Sequence, residues 1–101
     1  MITDKQFDDA FTAAGGWFIL TQFETVFNWR GTKSDLIDEI YAVGFDKFRT
    51  GTNTRVSSLA RIIDNGRALE ALLKIKNSKS INRRHPEAEE MASSLINKYF
   101  K

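Results

Sequence analysis

At 101 residues, with 42% apolar and 28% charged side chains, the chain is long enough to close one hydrophobic core and too short for two, which argues against disorder and predicts a single domain over residues 1–101. The absence of cysteine excludes disulfides, thiolate-bound zinc and a cysteine nucleophile, and favours a reducing cytoplasm. The formal net charge of +2 is too small to name a partner; Met1-Ile2-Thr3-Asp4-Lys5 does not read as an export leader, and no apolar run approaches the roughly 20 residues of a membrane span.

Glycines and capping residues divide the chain into pieces of about a dozen residues, and the expectation is an all-α, compact bundle of five or six short helices. The first opens at Thr3, where Thr3 and Gln6 form a capping box and Phe7, Ala10, Phe11 and Ala14 make an apolar stripe that Gly15-Gly16 ends. Trp17 to Arg30 favours a strand on propensity alone. Ile19, Leu20, Phe23, Val26 and Phe27 nevertheless repeat at helical spacing, so a helix is expected. Thr32 or Ser34 caps a third helix carrying Leu36, Ile37, Ile40, Tyr41 and Val43, with Gly44 at its end.

The stretch from Phe45 to Thr54, rich in Thr, Gly and Asn, reads as a loop. Asn53 or Thr54 then caps a helix with Val56, Leu59, Ile62 and Ile63, stopped by positive-φ residues at Asn65-Gly66. A further helix from Arg67 to about Lys79 turns Leu69, Leu72, Leu73 and Ile75 mostly inward, and Asn77-Ser78-Lys79-Ser80 loosens the chain. The last helix takes Pro86 at its first position, Glu87, Glu89 and Glu90 in its first turn, and docks through Met91, Leu95, Ile96, Tyr99 and Phe100.

Charge is unevenly spread along the chain. Residues 1–29 hold one lysine and four acids, whereas residues 48–85 hold nine cations against Asp64 and Glu70 alone, six of the nine being arginine. A surface built for solubility interleaves the two signs, so this run points to phosphate contact. Arg49, Arg55, Arg61, Arg67, Lys74, Lys76, Arg83 and Arg84 are the candidate nucleic-acid contacts. The two successive helices after Thr54 have the chain order of a helix-turn-helix, which puts DNA ahead of RNA and makes Arg67 and Lys74 the candidates to reach bases.

Little else in the sequence suggests chemistry. One histidine and no cysteine do not make a transition-metal site, and no cofactor is expected. The acids at Asp35, Asp38 and Glu39 are read as helix-start charges rather than a Mg²⁺ site. His85 beside Arg83 and Arg84 leaves a weak case for a small nuclease, but a lone histidine before proline reads more simply as a loop residue, and no enzyme is expected. The rival to nucleic acid is a protein-interaction domain, an adaptor or inhibitor, meeting an acidic partner protein or forming a homodimer through exposed rings. Trp17 and Trp29 are the rings expected to be partly exposed, and Trp and Arg dominate protein hot spots.

Overall fold

The computed structural model describes all residues from Met1 to Lys101. It is all-helical, with seven helices rather than five or six: α1 (Asp4–Ala14), α2 (Gly16–Phe27), α3 (Lys33–Tyr41), α4 (Arg49–Asp64), α5 (Ala68–Lys76), α6 (Lys79–Arg84) and α7 (Ala88–Phe100). Their buried apolar side chains form one continuous cluster of 23 residues. No helix is long and apolar enough to cross a membrane.

Local rules fix the first half. Thr3 Oγ1 accepts from the Gln6 N–H at 3.1 Å and Gln6 Oε1 accepts from the Thr3 N–H at 2.9 Å, closing the expected capping box. Gly15 ends α1 at φ 87° and is at once the residue before α2, so the two helices meet at a one-residue corner that only glycine turns without strain. Period overrides strand propensity in α2, where Phe18, Ile19, Leu20 and Phe23 are buried. Thr32 caps α3 by accepting from the Asp35 N–H at 3.1 Å. That helix stops at Tyr41, so Val43 lies beyond its apolar face and is 60% exposed.

The second half departs from expectation where tertiary contacts outrank propensity. Helix α4 starts at Arg49, four to five residues before the expected cap at Asn53 or Thr54. Asp46 explains the difference. Its carboxylate accepts from the Thr52 hydroxyl at 3.1 Å and from Arg55 Nε at 3.0 Å, pinning the first two turns, and Thr52 is fully buried. Of the Asn65-Gly66 pair, only Gly66 takes positive φ.

Helix α5 ends at Lys76, and a separate six-residue helix, α6, forms where a loosened chain was expected. Ser78 caps α6. Asn82 reaches back from it to donate its amide to the carbonyls of Ile75, Lys76 and Ser78 at 2.7–3.2 Å, closing the end of α5, while its buried Oδ1 finds no donor. Ile81 inserts against Gly16, where any Cβ would collide with it. Pro86 lies in the turn before Glu87, the residue that precedes α7, and is not the first helical residue.

Helix α4 is the central rod, with α1, α2 and α3 packed on it; α5 packs on α7, and α2 touches both groups. Leu69 and Leu73 turn outward from α5, at 36% and 41% exposure.

Candidate nucleic-acid interface

The eight candidate contacts divide into two sets. Arg49, Arg55, Arg67 and Lys74 are bonded to acids of the same chain. Arg49 Nε meets Asp38 at 2.6 Å, and its Nη2 reaches the Ser34 hydroxyl and carbonyl. Arg55 spreads between Asp46, through Nε, and the Ala14 carbonyl, through Nη1 at 2.6 Å, lying over Phe18. It thereby satisfies a carbonyl that the end of α1 leaves open.

Arg67 is drawn furthest into the fold. Its guanidinium donates to both oxygens of Glu70, to Asp4 and to the Thr3 carbonyl, and lies 4.2 Å from the Phe7 ring centroid. The hydrogen bond to Glu70, with help from Asp4, raises its ionisation further above the ordinary arginine range. Lys74 bonds Asp8 at 3.0 Å and lies over Phe11. The two residues expected to reach bases, Arg67 and Lys74, are therefore engaged by acids of α1 and its approach. Helices α4 and α5 do follow one another through a short turn, but the side chains that a recognition helix would present are occupied.

Arg61, Lys76, Arg83 and Arg84 form the other set, and none makes an ion pair or side-chain hydrogen bond within the chain. Arg61 stands apart on α4, near Asp9, Ser57 and Ser58. The remaining three lie between residues 76 and 84, at the end of α5 and on α6, together with Lys79, a member of the basic run that is not among the eight candidate contacts. Lys79 and Arg83 fall four residues apart on α6 and share a face. Lys79, Arg83 and Arg84 are exposed, and no acid occurs between Glu70 and Glu87.

Beside this corner lies a cleft of about 260 Å³. Its wall includes Trp17, Phe45, Arg55, Arg84 and His85 and carries no carboxylate. The imidazole of His85 stacks on the Trp17 indole at 3.8 Å between centroids, with the planes 3° apart. The His85 backbone is held at both ends, its N–H on the Ile81 carbonyl at 2.8 Å and its own carbonyl on the Ala88 N–H at 2.9 Å. No side chain caps α2, and the N–H groups of Gly16, Trp17 and Phe18 have no acceptor in the chain. Sequence reading flagged His85 and Trp17 separately; their stacking joins residues far apart in the chain and has no local signal.

A second groove, between α2 and α7, is lined by acids. Lys98 Nζ and Tyr99 Oη both donate to Glu24 Oε2 at 2.6 Å, clasping α7 to α2. Those two hydrogen bonds, Lys98 first, hold the Glu24 carboxyl below its ordinary value, and Glu24 in turn raises Lys98. Glu87 and Glu90 line a groove with Glu24 there, and no group of three or more His, Asp or Glu side chains is placed to hold a metal.

Among the aromatics, Trp17 and Trp29 are half-buried, and Trp29 Nε1 donates to the Thr32 carbonyl at 2.8 Å. The most open ring is Phe48, at 66% exposure, just before α4. Comparison with protein-family models, with curated proteins and with solved structures finds no match to this chain.

Proposed function

We propose that this chain is a non-catalytic nucleic-acid-binding domain whose contact surface is the corner made by the end of α5 and by α6. One observation carries the reading: Lys76, Lys79, Arg83 and Arg84 fall within nine residues and none has an acid partner, although Arg49 and Arg55 of α4, Arg67 just before α5 and Lys74 in its last turn are all paired. Unpaired cations close together lower the electrostatic cost of approaching phosphates and gain free energy from counterion release. The contact set is thus smaller than the sequence suggests, and it is suited to backbone contact rather than to base reading.

The reading is tested by titrating a labelled duplex and a labelled single strand at two salt concentrations. Affinity that falls steeply between roughly 50 and 200 mM salt supports it. No binding at the lower concentration, or binding indifferent to salt, rejects it.

A second reading rests on a different surface. Leu69 and Leu73 on α5 and Phe100 on α7, each 36–41% exposed, line a groove rimmed by Lys76 and Lys101. An apolar strip with a basic rim suits an acidic protein partner or a second copy of this chain. Sedimentation of the wild type and of Leu73→Lys separates the two cases: a dimer that dissociates on substitution identifies self-association, and a monomer throughout leaves the acidic partner.

A further inference from the structure

We infer that the cleft between the α1–α2 corner, the loop before α4 and the end of α6 is a binding site for a phosphomonoester carried on a flat ring, the chemistry shared by a free nucleotide and by the phosphorylated end of a strand. The inference goes beyond the phosphate-contacting corner and stands on the cleft's own wall.

Arg84 enters that wall with no acid partner, and no other residue of the wall is acidic. Arg55 contributes its remaining nitrogen, because Nε and Nη1 are held by Asp46 and Ala14 while Nη2 has no acceptor. The His85 imidazole adds a third nitrogen-bearing group, fixed in place by its stack on Trp17. Arg55 and His85 are positioned by contacts made without any ligand, so the ordering that binding must supply falls mainly on the unpartnered Arg84.

The geometry selects among anions. The planar guanidinium fork of Arg84 can pair two oxygens of a tetrahedral dianion better than a point charge does, Arg55 adds the single Nη2 left free by Asp46 and Ala14, and a terminal phosphate offers three free oxygens where a diester offers two. The open amides at the start of α2 add neutral donors beside them. The cavity is also several times larger than a phosphate group. Trp17 and Phe45, both half-buried, make up part of the remaining lining, which suits an aromatic substituent such as a base. Gly15 and Gly16 keep the site in this form: a Cβ on Gly15 would lie 2.9 Å from Arg55 Nη1, and one on Gly16 would displace Ile81.

The test uses the full chain, with adenosine 5′-monophosphate, adenosine and inorganic phosphate followed by calorimetry and by the backbone amide resonances of Gly16 and Trp17. The expected result is saturable binding of the monophosphate that shifts both amides, weaker binding of phosphate, and none of adenosine. Arg84→Ala should weaken the monophosphate by about tenfold, the loss of one charge-assisted contact. Lys33→Ala, an exposed lysine away from the cleft, should leave binding unchanged. Adenosine binding as well as its monophosphate, or a monophosphate that produces no heat and no shift at Gly16, overturns the inference.

A 5′-phosphorylated oligonucleotide bound about tenfold more tightly than its 5′-hydroxyl counterpart identifies the strand end as the source. Equal binding of the two, with the monophosphate bound, identifies the free nucleotide. Oligonucleotide binding without monophosphate binding refutes the cleft and leaves the basic corner standing, and the reverse pattern refutes the corner alone.

Discussion

Arg67 and Arg84 belong to the same basic run and have become different kinds of residue. The first lies over Phe7 between two carboxylates, with its side chain only 15% exposed; the second projects from a six-residue helix with no partner in the chain. The contrast extends to their neighbours. Acids from residues 4 to 46 meet Arg49, Arg55, Arg67 and Lys74, whereas none pairs with Arg61 or with the cations of residues 76 to 84. A charged residue that closes a fold and one that is free to meet a partner look alike in sequence. The difference lies in whether folding delivers an acid to it, and so the paired set should govern stability and the unpaired set should govern binding.

The strongest challenge to that division is to replace Lys76, Lys79, Arg83 and Arg84 together by Ala. Duplex affinity should fall by about a thousandfold, and the slope of log affinity against log salt should flatten by about 0.9 per residue removed. The urea midpoint should barely move, and a large loss of stability would mean that these residues hold the fold after all. Arg55→Ala should destabilise the chain by about 3 kcal/mol in urea unfolding, because it leaves the half-buried Asp46 carboxylate and the Ala14 carbonyl without their donor.

Asn82→Ala should cost about 1–2 kcal/mol by reopening the last carbonyls of α5, and should raise amide exchange selectively at the α5–α6 junction. The smallest effect belongs to Glu24. Its carboxyl lies below the ordinary 4.5, so its contribution is complete above that value and is lost as pH falls through the lowered one. Lys98 lies above its ordinary 10.5, so its share is complete below that value and is lost as pH rises beyond it. Glu24→Gln should therefore cost about 0.5 kcal/mol near neutrality, a figure kept small by exposure of the pair, and nothing measurable in acid. Thermal scans of both proteins across pH read the difference.

What the sequence discloses follows the range of the interaction. The capping box at Thr3 and Gln6, the stop at Gly15, the cap at Thr32 and the helical period of Ile19, Leu20 and Phe23 all act within a few residues, and each is readable. The early start of α4 is not, since Thr50, Gly51, Thr52 and Asn53 have loop preferences that a carboxylate at Asp46 overrides only once the loop has folded back. Helix α6 is hidden for a similar reason: it is too short to display a period, and Ile81 against Gly16 and Asn82 on α5 hold it. The basic run was visible as composition, but its division into paired and unpaired members depends on which helix faces which.

Helix α4 illustrates what such an arrangement asks of the chain. The rod on which α1, α2 and α3 lean follows its first residue, Arg49, with Thr, Gly, Thr, Asn and Thr, all weak formers of a helix in isolation, and a peptide of residues 49–64 should be a random coil in water. The spine is thus sustained by its ribs. A nick or truncation that removes one of them should dissolve the whole body in a single step rather than release a smaller folded remnant, and unfolding should be all-or-none by every probe.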